Sequence, residues 1–203
     1  MNKAFLIFHI RTYWHAGSAR GGGLALANMV HKDPHGLPNL PGRSVKGLVR
    51  DAMYRAEKWD HIDKGRTEAI FGFNSQIDES NTKITRHDST PGCLAFGNAE
   101  LPEALRQHLE MPVDKGEKED LAPFFYRALH ATAMEDGIAK DKSLRGYQVT
   151  VPLVLSAPVH ILDDRFQTQW FDDLRLCLPL IRGLGMGRNR GLGRCSVTLE
   201  VAS

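Results

Sequence analysis

The stretch Gly183-Leu184-Gly185-Met186-Gly187-Arg188-Asn189-Arg190-Gly191-Leu192-Gly193-Arg194 interleaves glycine with arginine. These residue types suit binding of a polyanion. Glycine lets the backbone approach a ligand closely, and successive amides can form an anion nest. Arg188, Arg190 and Arg194 can each fork onto a phosphate, with Gly187, Asn189 and Gly191 adjoining them. The stretch is no Walker loop, because no Gly-Lys-Ser/Thr follows. Nor is it a dinucleotide fingerprint, because it leads into a strand pattern and not a helix. A bland hairpin loop is the competing reading.

A second cluster lies at Leu37-Pro38-Asn39-Leu40-Pro41-Gly42-Arg43-Ser44-Val45-Lys46-Gly47-Leu48-Val49-Arg50. Pro41-Gly42 predicts a turn, and Ser44 reads as the N-cap of a helix. Arg43, Ser44, Lys46, Gly47 and Arg50 gather at that start, with Lys46 and Arg50 one turn apart. Backbone amides at a helix start, flanked by cations, can clamp a phosphate. The same residues also suit a capped surface helix with solvated cations.

Other side chains suit catalysis or metal binding. His15 and His31, in a glycine-rich region, could serve as general bases for a metal-free RNA cleavage. His31, Asp33 and His35 are spaced for metal ligation from an extended loop, but no fourth ligand is evident, so no metal site is expected. Arg86-His87-Asp88 lacks a helix or strand context. Cys93, Cys177 and Cys195 are odd in number and far apart, which argues against a disulfide framework or a zinc site and favours a reducing, cytoplasmic setting.

Positioning these groups requires a scaffold. Ala4 to Trp14 is rich in aromatic and β-branched residues and predicts an opening strand. Glycines and prolines from Gly17 to Gly42 predict a long loop. Val45, Leu48, Val49, Ala52, Met53 and Ala56 have helical spacing. A short strand is expected over Leu94 to Ala99, and a helix over Glu119 to Met134. Tyr147 to Ile161 alternates as one long strand, at an edge or bent because of Pro152 and Pro158. Arg165 to Arg182 reads as a second core helix, shortened or kinked by Pro179, and Cys195 to Val201 as a final strand. Phe124, Phe125, Tyr126 and Trp170 read as core. Tyr13 and Trp14 read as packing, with base stacking the rival role. The order strand, helix, strand, strand, helix, strand is the split βαβ plan, an α+β fold.

With 203 residues, the chain suits one domain with insertions. A hydrophobic share of 42%, a charged share of 25% and a mean hydropathy of -0.32 fit a soluble globular protein, and no apolar stretch approaches membrane-spanning length. The formal net charge of +2 predicts no nucleic-acid partner by itself, so that case rests on where the cations cluster.

The two clusters together resemble the CRISPR-associated RAMP (repeat-associated mysterious protein) superfamily. Leu37 to Arg50 resembles its P-Y-I-P-G-S-S-L-K-G-x-x-R element, and Gly183 to Arg194 its C-terminal loop ending G-R-x-R-G-L-G. His15-Ala16-Gly17-Ser18, Ile70-Phe71-Gly72 and Lys142-Ser143-Leu144-Arg145 are weaker echoes. The resemblance implies a single-domain, ferredoxin-like (modified RRM) βαββαβ palm with loop and thumb insertions at about 15–43, 72–92 and 108–146. Either the segment 74–92 or the segment 115–145 would supply the thumb.

It further implies a guide (CRISPR) RNA-binding backbone subunit of a type III or type III-like effector. Such a subunit grips phosphates without sequence preference and partners target RNA or DNA, copies of itself and other effector subunits. Arg20, Arg86 and His87 join the RNA-binding set. Slicing members carry an aspartate in a D-N/S-P-V-I-R/K-D-P loop, cleaving target RNA with a divalent metal. Here Asp33 matches the second aspartate, but Ala27 stands at the catalytic position, which implies binding without cutting and no cofactor, with Mg2+ needed only if target RNA is cut. The alternatives are a RAMP endoribonuclease using His15, His31 or Asp33, and a capping or accessory subunit.

Overall fold

The opening run alternates as a strand must, and Ala4, Leu6, Phe8 and Ile10 of β1 (Lys3–Ile10) are all buried on one face. The computed structural model describes residues 3–18, 28–73, 90–110, 121–162, 165 and 169–201. After β1 come α1 (Gly42–Lys58), α2 (Arg66–Phe71), the short pair β2 (Gly72–Phe73) and β3 (Thr90–Pro91), β4 (Leu94–Phe96) and α3 (Glu103–Glu110). A hairpin region follows: β5 (Tyr126–Ala131), β6 (Met134–Glu135), β7 (Ile138–Ala139) and β8 (Arg145–Thr150). The chain closes with β9 (Val154–Ile161), α4 (Trp170–Cys177) and β10 (Cys195–Val201).

The main sheet runs β10-β1-β9-β4, every neighbouring pair antiparallel. Counted as first to fourth strands of the palm, that order is 4-1-3-2, the ferredoxin-like arrangement expected of split βαβ units. One sheet face carries the core. Leu6, Phe8, Leu155, Ala157, Val197 and Leu199 pack with Val45, Val49, Ala52 and Met53 of α1 and with Phe171, Leu174 and Cys177 of α4. The other face carries half-buried and exposed residues such as Ile7, His9, Ser156, His160 and Thr198, as an antiparallel sheet covered on one side permits.

Four expectations need correction. α1 begins earlier than Ser44: Pro41 is its N-cap and caps through its carbonyl, which accepts the amides of Ser44 (2.8 Å) and Val45 (3.1 Å). Residues 121–134 form no α-helix, because a 3-10 turn over Ala122–Phe125 leads into β5, which pairs with β8 from Tyr126↔Thr150 to Ala131↔Arg145. Long-range pairing thus overrides the local apolar spacing, and Phe124 is exposed, not core. The long strand is two strands in different sheets, broken around Pro152, and β9 is central rather than an edge. Finally, α4 starts at Trp170, and Leu178–Leu180, with Pro179 inside it, continues as a 3-10 turn.

The hairpin tip turns at Asp136-Gly137, with φ of 51° and 82°, the two-residue geometry that matches strand twist. Residues 131–142 are exposed throughout.

Candidate nucleic-acid interface

The α1 start is anchored from below. The amide of Gly42 donates to Asn98 Oδ1 at 2.9 Å, and a side chain at Gly42 would collide with the Phe96 carbonyl. With the Ser44 and Val45 amides spent on Pro41, only the Arg43 amide of this first turn is open. The expected cradle of helix-start amides is therefore mostly closed. What the turn offers instead is the exposed Arg43 side chain and the Ser44 hydroxyl, which has no partner among the described residues.

The glycine-rich loop is bolted to the chain that leaves β1. Met186 donates to the His15 carbonyl (2.9 Å), Gly193 to Tyr13 (2.7 Å) and Leu184 to Gly193 (3.0 Å). Leu184 is fully buried. A Cβ on Gly185 would sit 2.2 Å from the His15 carbonyl oxygen, and one on Gly193 2.0 Å from that of Leu184. Those two glycines serve backbone packing inside the protein rather than approach of a ligand. The amides of Gly187, Arg188 and Asn189 remain. Gly187 is left-handed at φ 72°, and no acceptor among the described residues takes these three successive N–H groups. That is the geometry of an anion nest.

The two segments meet. His15, Gly17, Pro41, Arg43, Ser44, Gly47, Gly185, Met186 and Arg188 line one open groove of about 470 Å³. Thus residues far apart in sequence put two arginines, a hydroxyl and an imidazole around a single space. Arg188 also lines a neighbouring depression of about 510 Å³ with Asn189, Arg194 and Arg55. Asp51 borders both, tied to Arg55 at 3.2 Å. Lys46 is half-buried and, like the exposed Arg190, is not among the lining side chains, so Arg43 and Arg188 carry the convergence. Arg50 faces a third cavity further along α1.

His15 is positioned with care. Its ring is buried, and Nδ1 lies 2.6 Å from the Gln148 carbonyl. A carbonyl can only accept, so Nδ1 is the donor, and the tautomer this selects has its lone pair on Nε2. Nε2 faces Gly17, where an added Cβ would sit 3.4 Å away, and both residues line the groove. Sequence spacing shows the histidine but not this tautomer, because Gln148 lies on the distant hairpin.

The other catalytic candidates lie outside the groove lining. Asp33 Oδ1 accepts the amides of His35 (2.9 Å) and Leu37 (2.8 Å), which makes it the organiser of a tight turn. Its charge, after burial, helps push the Tyr126 phenol upward, and that hydroxyl donates to Gly36 O at 2.6 Å. Lys32 stacks over the Tyr126 ring at 3.9 Å, and its desolvation lowers the ammonium pKa. The amide of His31 pairs with Ala16 (2.7 Å), and His31 Nδ1 is buried without a partner. Among the described residues no group of three or more His, Cys, Asp or Glu side chains is placed to hold a metal ion. Arg20, Ala27, Arg86 and His87 lie outside the described residues. Among those described, no helix is long and apolar enough to cross a membrane.

Comparison with known proteins gives a consistent pattern. A family model described as the RAMP superfamily matches residues 7–196. No curated protein matches. Among solved structures, a chain from the type III-B Cmr-beta bound to cognate target RNA is similar at 16% identity and a TM-score of 0.60; the match covers 100% of this chain and 61% of that one. A chain from the apo state of type III-B Cmr-beta is similar at 9% identity and a TM-score of 0.66, covering 98% and 97%. At these identities the likeness is one of fold.

Proposed function

Because the chain belongs to the RAMP superfamily, as the match over residues 7–196 shows, we propose that it is a guide-RNA-binding subunit of a type III CRISPR effector. In that role it grips the backbone of single-stranded RNA without reading sequence. One observation carries the reading: Arg43 and Ser44 at the start of α1 share a groove with Arg188 from the C-terminal loop. Cations and open amides on both walls suit phosphates, and base edges are not needed for that contact. The hairpin β5–β8 would serve as the thumb. The subunit would stack with copies of itself and with other effector subunits along the guide. The similar chain seen with cognate target RNA supports target RNA as the further partner.

RNA is bound without being cut, on this reading, since Ala27 cannot ligate a metal or take a proton. The test is twofold. Expressed with its neighbouring subunits, the chain should copurify with short RNA, and binding of single-stranded RNA should weaken steeply with salt. The assembled complex should leave complementary RNA intact in magnesium; cuts at regular intervals would overturn the non-cutting assignment. A second reading rests on His15, which lines the groove with its Nε2 against Gly17. A metal-free cleavage of hairpin RNA, abolished in His15→Ala, would favour a guide-processing endoribonuclease instead.

A further inference from the structure

We infer that the groove continues past Gly47 into a pocket where Tyr54 and Phe73 stack an unpaired nucleobase of the same RNA strand. The inference rests on RNA being the groove's ligand and adds a base-binding site to a phosphate-binding one. The pocket, about 500 Å³, shares Gly47 and Asp51 with the groove and is further lined by Arg50, Tyr54, Glu68 and Phe73.

Gly47, Arg50 and Tyr54 fall at i, i+3 and i+7 on one face of α1. At about 1.5 Å rise per residue, Gly47 and Tyr54 are about 10 Å apart along the axis, short enough for one strand to meet both. Gly47 has no side chain to divide the two spaces, and beyond its own turn of helix nothing among the described residues lies within 4 Å of where its Cβ would be.

The chemistry of the pocket differs from that of the groove. Tyr54 and Phe73 are 52% and 42% exposed, so two large aromatic side chains stand open here, with Lys58 Nζ 5.4 Å from the centroid of the Tyr54 ring. Arg50 is the cation facing this pocket. Glu57 also lines it, each of its carboxylate oxygens accepting one amide, from Gly65 (2.8 Å) and Thr67 (2.9 Å). Glu68 has no partner among the described residues. Carboxylates repel a phosphate, whereas a base is neutral, offers N–H donors to them and has a π-face for the rings. Arg50 then holds the phosphate between groove and pocket, and the strand's base turns onto the aromatic side chains.

The test uses the full chain and two single-stranded probes of equal length, oligoadenylate and an abasic ribose-phosphate oligomer. The wild-type chain should bind oligoadenylate about tenfold more tightly than the abasic probe, the low end of what base stacking supplies. Joint replacement Tyr54→Ala and Phe73→Ala should erase that preference and leave abasic binding unchanged, whereas Tyr54→Trp should keep it. Both side chains are exposed, so the fold should survive; an unchanged thermal midpoint checks this. Equal wild-type affinity for both probes, or a preference that persists in the double variant, overturns the pocket. If Arg188→Ala still weakens both probes in that event, the groove stands and the pocket alone falls. Binding of neither probe overturns both. A double variant that changes only the oligomeric state overturns the pocket too, by marking the aromatic pair as a protein contact.

Discussion

Replacing Gly47 by alanine should strengthen the protein and weaken its grip on RNA. Gly47 sits inside α1 with ordinary helical backbone, exposed, at the junction of the groove and the pocket beyond it. Glycine in a helix interior is about 0.8–1.0 kcal/mol worse than alanine. An added Cβ meets nothing within 4 Å beyond its own turn of helix among the described residues, so no contact there offsets that gain. Gly47→Ala should therefore raise stability by up to about 1 kcal/mol, which for a chain of this size moves Tm up by roughly 2–4 °C. Nothing among the described residues gives a reason for glycine here. A closely approaching RNA backbone does. A methyl group in its path that displaces one charge-assisted hydrogen bond, worth about 1.5–3 kcal/mol, weakens Kd by about ten- to hundredfold. Thermal unfolding run alongside fluorescence anisotropy of a labelled single-stranded RNA at fixed salt reads both effects. A variant that melts higher and binds like the wild type would refute the reasoning, since loss of fold could not be blamed.

Arg188→Ala should reduce the slope of log affinity against log salt by about 0.7, the share of one single-strand phosphate; an unchanged slope removes Arg188 from the contact. Gly193→Ala forces a Cβ onto the Leu184 carbonyl at a left-handed φ of 65°, and should lower stability by about 1–3 kcal/mol in denaturant titration. Burial alone would raise the Glu57 carboxyl, but its hydrogen bonding, which includes the amides of Gly65 and Thr67, outweighs it and holds the pKa below the usual range. Its folded value thus lies below the unfolded one, so its stabilisation is full above pH 4.5 or so and fades as pH falls through the folded value. Glu57→Gln should flatten that part of the acid-unfolding profile. Burial, with Asp173 nearby, pushes the Cys177 thiol up to about 11, and burial also lifts Cys195 to about 11 against the opposing charge of Arg11. Both should resist alkylation near neutral pH until the chain unfolds, as mass spectrometry would show.

The palm was legible from residue pattern because its core obeys local rules. Alternation along 4–10 and 195–201, and helical spacing along 45–56, each agree with the tertiary packing that uses them. The hairpin was not, because apolar spacing around 121–129 mimics a helix while the strand is specified by a partner at 145–150. A local signal existed all the same: Asp136-Gly137 is the turn pair that two-residue hairpins prefer. The site divides the same way. Arginine and glycine types mark its two walls, but which cations face the groove depends on backbone contacts between residues 13–15 and 184–193. Sequence spacing cannot show that Gly185 and Gly193 are committed to packing, or that Lys46 and Arg190 are not among the groove's lining residues. Tyr54 and Phe73 lie in no motif, and only the fold brings them to one pocket.

Amide hydrogen exchange tests the shared groove most directly. The Gly187, Arg188 and Asn189 amides lack acceptors among the described residues, as does that of Arg43 at the other wall. In the free chain all four should exchange quickly. With saturating single-stranded RNA, the account predicts slowed exchange in both segments at once. Protection of only one segment, or of neither while RNA is demonstrably bound, would contradict it.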